Sequence, residues 1–199
     1  MKKNFGIVLL AAGSSSRLGR PKQALPFDGK TLLQHTKEIA ADADVASIIV
    51  VLGANAELLQ KDISTTGVRT ILNDHWAEGM ASSITCGVKD LLAQNSGVEG
   101  LVLMVCDQPY VTASLINELI TVHQNTAKPI VTCSYADTFG PPTFFHKSLF
   151  PELMELTGDV GARSIIKKYT DNVEVIPFPE GVTDVDTEAD YEKVIKREP

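Results

Sequence analysis

Apolar and polar positions fall in blocks along this 199-residue chain. Short unbroken apolar runs at residues 5–11, 46–52 (ASIIVVL) and 101–106 (LVLMVC) have the character of strands buried on both faces. Residues 68–72, 130–134, 143–145 and 173–176 read as further strands. Helices are expected from a Thr31 N-cap to residue 42, over 54–62 and 81–93, and from a Thr112 N-cap to residue 124. Three more are expected over 148–156, 162–168 and, behind a Thr187 N-cap, 188–196, while Pro141-Pro142 marks a turn. Strand and helix alternating at short spacing predict an α/β fold of three layers, α/β/α, around a mostly parallel sheet.

With 199 residues, 44% of them hydrophobic and 22% charged, the chain can bury the core of one domain and is no candidate for disorder. A formal net charge of −7 without a basic run argues against nucleic acid as a partner. It leaves room for a small anion held by a few cations or a metal ion. Lys2 and Lys3 before an apolar stretch imitate a secretory leader, but the run over residues 7–12 is short and opens into a loop. Nothing approaches the ~20 apolar residues of a membrane span. Cys86, Cys106 and Cys133 include no CxxC pair, which fits reduced, buried thiols and a cytoplasmic protein.

Four segments carry candidate chemistry. The first is LLAAGSSSRLGRPK, residues 9–22, where a buried strand runs into a loop holding Gly13 and Gly19. Small residues let backbone N–H groups approach an anion, and Arg17 and Lys22 add two cations. The spacing is neither a Walker A loop nor GxGxxG, which disfavours a dinucleotide-binding dehydrogenase. The second is Asp107, just past an apolar strand at the sheet edge where α/β folds bind ligands. It suits a Mg2+ ligand, and equally a turn before Pro109. The third is Asp184-Val185-Asp186-Thr187: extended, it turns Val185 inward and puts both aspartates on the other face, as metal ligand or as a solvated capping region. In the fourth, residues 73–87 (NDHWAEGMASSITCG), Gly79 allows close backbone approach and Ser82 and Ser83 cap a helix or bond a base or ribose, while Trp76 reads as a packing residue. The four histidines form no ligand-spaced cluster, and no Ser/His/Asp set is visible.

Taken together, LLAAGSSSRLGRPKQALPF, NDHWAEGMASSITCG, MVCDQPYV, GPPTFF, FPELMELTGDVGARSII and DVDTEADYEKV resemble, in family order, the nucleotidyltransferases with a glycosyltransferase-A-like, Rossmannoid fold. The likeness is to the branch of molybdenum cofactor cytidylyl- and guanylyltransferases. It implies a nucleotide-binding half, residues 1–110, and an acceptor-binding half, 111–199, within one nucleotidyltransferase domain. The implied nucleotide set is Ala11, Ala12, Gly13, Ser14, Ser15, Arg17, Lys22, Asn73, Gly79, Ser83 and Asp107. Lys22, Arg17 and Asp107 are the implied catalytic groups, Asp107 and Asp186 the Mg2+ ligands, and Gly158, Asp159 and Arg163 the acceptor side.

The implied reaction is transfer from CTP to the phosphate of molybdopterin, with a receiving molybdoenzyme as a further partner. Guanylyl relatives carry Gly-Gly where this chain has Ala11-Ala12-Gly13, and the extra methyl of Ala12 narrows the base pocket toward a pyrimidine. One methyl is worth roughly 1–3 kcal/mol of selectivity. Gly140-Pro141-Pro142 departs from the Gly-His-Pro of relatives and leaves the acceptor open. A guanylyltransferase, another transferase of the same fold, or a non-catalytic cofactor-delivery protein are the competing readings.

Overall fold

The computed structural model describes residues 3–59 and 67–196. Its elements in chain order are β1 (Lys3–Ala11), β2 (Pro26–Phe27), β3 (Lys30–Thr31), α1 (Leu32–Asp42), β4 (Val45–Leu52), α2 (Ala56–Leu59), β5 (Arg69–Leu72) and α3 (Met80–Gln94). β6 (Gly100–Val105), α4 (Ala113–Thr126), β7 (Ile130–Tyr135), β8 (Thr138–His146), α5 (Phe150–Glu155), α6 (Arg163–Lys168), β9 (Val173–Pro177) and α7 (Glu188–Lys196) complete them.

Strands assemble in the order β5-β4-β1-β6-β8-β7-β9, and only β8 pairs antiparallel to its neighbours. The fold is therefore three-layer α/β/α around a mostly parallel mixed sheet. β1 lies inside it, between β4 and β6, and its side chains alternate between two cores: Phe5, Ile7, Leu9 and Ala11 with residues of α1 and α4, Val8 and Leu10 with residues of α3, α5 and α6. Burial on both faces is why this strand reads as an unbroken apolar run. The chain leaves β1 toward β4 and β5, then returns to β6 on the other side of β1. That reversal opens a crevice beyond the carboxyl ends of β1 and β6.

The expected caps form. Thr31 accepts from the Gln34 N–H in a full capping box, and Thr112 accepts from Leu115 N–H. Thr187 Oγ1 accepts from Asp190 N–H at 3.2 Å while the Asp190 carboxylate accepts from Thr187 N–H at 2.9 Å. Of the helix expected over 54–62, residues 56–59 are helical and 60–62 lie outside the described residues.

Two expectations need correction. Pro141-Pro142 is no turn but lies inside β8, with a cis peptide between the prolines. Pairing with β7 jumps from Thr132↔Thr143 to Cys133↔Gly140, so the prolines sit in a bulge where their missing N–H leaves no ladder bond open. The stretch before α5 is a 3-10 turn, Lys147–Leu149, rather than the first turn of an α-helix. The β2–β3 hairpin was not anticipated, although Asp28-Gly29 at φ 46° and 79° is a tight-turn signal. No helix among the described residues is long and apolar enough to cross a membrane.

Candidate functional site

The chain turns at the carboxyl end of β1. Ser15 adopts φ 57°, and its carbonyl accepts from both Leu18 and Gly19 N–H at 3.1 Å. Its Oγ accepts from the Lys22 N–H at 3.0 Å. The buried Gln23 amide donates to the carbonyls of Ala11 (3.0 Å) and Gly13 (2.8 Å).

Charge gathers at the mouth of this loop. Lys22 Nζ lies 2.5 Å from Asp107 Oδ2 and 2.8 Å from Asp186 Oδ1. Arg17 reaches the other Asp186 oxygen at 2.6 Å from a mostly exposed position. Asp107 follows β6, and its carbonyl accepts from the Val185 N–H at 3.0 Å, which stitches the 184–187 segment to the rim. Val185 is fully buried, packed with Leu25, Leu32 and Val194, so Asp184 and Asp186 both face the crevice, as the extended reading of that segment requires.

Burial opposes the Lys22 charge, but Asp107 and then Asp186 hold its ammonium well above the usual lysine range. Burial likewise opposes the Asp186 charge, and Lys22 and Arg17 still keep its carboxyl below the usual carboxylate range. Asp184 moves the other way: burial, then the neighbouring Asp107 and Asp186 charges, push its carboxyl up.

Two adjoining clefts meet at this cluster. One, of about 450 Å³, is walled by Ala11, Ala12, Gly13, Ser14, Lys22, Gln23, Trp76, Gly79, Met80, Ser83, Asp107 and Asp159. The other, of about 480 Å³, is walled by Arg17, Lys22, Asp107, Gln108, Tyr135, Gly140, Asp159, Arg163, Asp184 and Asp186 among others. Lys22, Met80, Asp107 and Asp159 belong to both.

Most residues singled out in the sequence therefore converge, and three stand behind the walls. Ser15 shapes the loop turn. Asn73 is buried and donates to Ser82 Oγ (2.9 Å) and Ser83 Oγ (3.0 Å), supporting a wall residue. Gly158 accepts from the Ala81 N–H at 3.1 Å, joining the two sides. Arg163 is oriented by a 3.0 Å bond from Nε to the Phe139 carbonyl.

Sequence reasoning passed over Gln23, Gln108 and Tyr135. Gln108 is buried, and its Nε2 donates to Tyr135 O–H (3.2 Å) and to the Gly181 carbonyl (3.1 Å), while its Oε1 has no partner among the described residues. Burial raises the Tyr135 phenol above its usual range, so its proton stays available to donate. The only available signal for the two glutamines was their position, one residue after Lys22 and one after Asp107. Trp76, read as packing, is about one-third exposed and stands on the wall of the first cleft.

Among the described residues no three His, Cys, Asp or Glu side chains form a ready-made metal cage. The donors present still fit a hard divalent cation, because Mg2+ takes one or two protein carboxylates and completes its shell with water and substrate phosphates. Asp107 and Asp186 are close enough together to share one ammonium.

A mostly parallel sheet with a small-residue loop, a lysine and two carboxylates at its topological switch point fits the class of nucleotide-binding transferases. The chain belongs to the MobA-like NTP transferase family, whose domain model matches residues 7–173. It is 31% identical over 189 residues to a protein named nicotine blue oxidoreductase from Paenarthrobacter nicotinovorans, covering 90% of this chain and 91% of that one. Among solved structures, the homologue of Rv0371c from Mycobacterium sp. strain JC1 is 33% identical, with a TM-score of 0.84 over 99% of this chain and 98% of that one. Rv0371c of Mycobacterium tuberculosis in complex with manganese is 29% identical, with a TM-score of 0.77 over 96% and 98%.

Proposed function

We propose that this protein transfers a cytidylyl group from CTP to the phosphate of molybdopterin or its metal-loaded form, with Mg2+, releasing pyrophosphate in the cytoplasm. The observation that carries the reading is the Lys22 ammonium shared between Asp107 and Asp186, at the meeting point of the two clefts. The nucleotide occupies the first cleft, built by residues 1–110 with Asp159. The acceptor occupies the second, where residues 111–199 contribute Tyr135, Asp159 and Arg163.

Asp107 and Asp186 are the residues that would hold the Mg2+. When bound, the ion supplies neutralisation of phosphate charge. The remaining work belongs to the chain. Backbone groups of 11–15 and the Lys22 and Arg17 cations hold the triphosphate, with Ser83 and Gly79 on the base and ribose side. Arg163 and Asp159 place the acceptor phosphate for attack on the α-phosphorus, opposite the departing pyrophosphate. That oxygen is already anionic, so positioning and charge stabilisation suffice without a strong general base.

The test is pyrophosphate release from CTP, GTP, ATP and UTP with purified molybdopterin. The reading expects CTP to lead, GTP in the lead makes the protein a guanylyltransferase, and binding of CTP without turnover makes it a carrier. The name of the Paenarthrobacter relative supplies a second reading, oxidoreduction, for which a nicotinamide dinucleotide in the same crevice would be a general hydride carrier. The absence of GxGxxG weighs against it. Loss of NADH absorbance with no dependence on CTP would establish it.

A further inference from the structure

Gln23 is 1% exposed, yet its side chain is polar and directly follows Lys22. Its amide nitrogen donates to two carbonyls, Ala11 at 3.0 Å and Gly13 at 2.8 Å. Its Oε1 lies 3.5 Å from Ser15 Oγ, and that hydroxyl accepts from the Lys22 N–H at 3.0 Å. One side chain thus joins the end of β1, the middle of the loop and the turn that launches Lys22. A second donor, the half-buried Asn55, reaches the Gly13 carbonyl only at 3.4 Å.

The geometry points to Gln23 as the positioning residue that makes this loop an anion site. A carbonyl facing the cleft would repel a phosphate. In a trans peptide the C=O and the following N–H point in opposite directions. Drawing the Ala11 and Gly13 carbonyls onto the Gln23 amide therefore turns the Ala12 and Ser14 N–H groups away from it, and both residues wall the first cleft. The task needs a neutral side chain with two N–H donors at this length. Methionine fills the same space without donors. Glutamate offers only acceptors and would set a buried negative charge against two carbonyls.

This inference rests on the first cleft taking a nucleoside triphosphate, so the experiment separates the two. Binding of CTP with Mg2+, and of cytidine, is measured by equilibrium dialysis without acceptor for the wild type, Gln23→Met and Gln23→Glu, after thermal unfolding has shown each variant folded at the assay temperature. Gln23→Met is expected to raise the CTP Kd at least tenfold, and Gln23→Glu further. Cytidine affinity should change less than threefold, because the lost contacts are to phosphate. A purely structural role would lower the unfolding temperature and leave the CTP-to-cytidine ratio unmoved. If Gln23→Met does not fold, Gln23→Asn, an amide one methylene short, is expected to weaken CTP at least fivefold. Wild-type protein that binds CTP alongside a Gln23→Met or Gln23→Asn variant within twofold of it overturns the inference alone. Wild-type protein that binds no nucleoside triphosphate overturns the functional reading and this inference with it.

Discussion

Lys22 and Asp107, 85 residues apart in sequence, are joined by a 2.5 Å ion pair, and the same ammonium reaches Asp186 at 2.8 Å. Pairs of this kind, five-sixths buried on the Lys22 side, escape most of the screening that weakens surface salt bridges. A divalent cation held by Asp107 and Asp186 must share oxygens with that ammonium. Replacing Lys22 by Met is expected to lower turnover at least ~100-fold, the scale of a lost charge-stabilising contact. It is also expected to tighten Mn2+ binding to the nucleotide-free protein, read by electron paramagnetic resonance. Arg20→Met removes the same charge from an exposed pair with Glu188 and is the control. Equal tightening in both variants would mean net charge, not Lys22, governs the metal.

Ala12 sits where the first cleft, the proposed base pocket, meets the sheet. It is 6% exposed, and a Cβ on Gly53 would fall 2.9 Å from the Ala12 methyl, so this corner is already tight. Ala12→Gly is expected to move the CTP-to-GTP ratio of kcat/KM toward GTP by roughly 10- to 100-fold, the worth of one methyl in an apolar pocket. An unchanged ratio would place base selection elsewhere on the wall, with Trp76 the nearest candidate.

What could be read in the sequence follows from how local each signal is. β1, β4 and β6 announce themselves because burial on both faces forces unbroken apolar runs, and Thr31, Thr112 and Thr187 because a cap acts within three residues. Val185 flanked by two aspartates was legible through strand periodicity alone. Gln23 and Gln108 were not: their work is done by contacts to Ala11 and Gly13, and to Tyr135 and Gly181, which no spacing rule connects. The bulge that keeps Pro141-Pro142 within β8 depends on a register with β7 that only the paired strands define.

Gln108 and Tyr135 give the proposed acceptor cleft its own test. Tyr135→Phe removes a hydroxyl that accepts from Gln108 and whose proton is free for a ligand. The KM for the acceptor is expected to rise about tenfold, the scale of one hydrogen bond, while the KM for CTP stays within twofold. A shift in the CTP value instead would assign the second cleft to the nucleotide.

Cys133 supplies a pH prediction. Burial, with a smaller contribution from Glu118, pushes its thiol from 9.0 up to about 12. Above pH 9 the unfolded chain loses this proton and the folded one keeps it, so the folded state binds more protons and stability falls as pH rises. The unfolding temperature of the wild type is expected to decline between pH 9 and 11, and to decline less steeply in Cys133→Ala. Parallel slopes for the two proteins would remove Cys133 as the cause.

Gly79 and Gly158 both adopt positive φ, at 106° and 65°, but differ in their surroundings. A Cβ on Gly79 would lie 2.4 Å from the Gly158 carbonyl carbon, with backbone rather than a yielding side chain in its way, whereas one on Gly158 meets nothing within 4 Å. Gly79→Ala therefore combines strain with a clash and is expected to cost about 2–4 kcal/mol, lowering the unfolding temperature by roughly 5–15 °C. Gly158→Ala carries only the backbone penalty of about 1 kcal/mol. Because the contact couples the start of α3, on the wall of the first cleft, to the loop that carries Asp159, the proposed function expects Gly79→Ala to weaken CTP and acceptor together at temperatures where the variant is still folded. Equal stability losses for the two glycine variants, or a Gly79→Ala protein that loses one substrate only, would show that the two clefts are not braced through this contact.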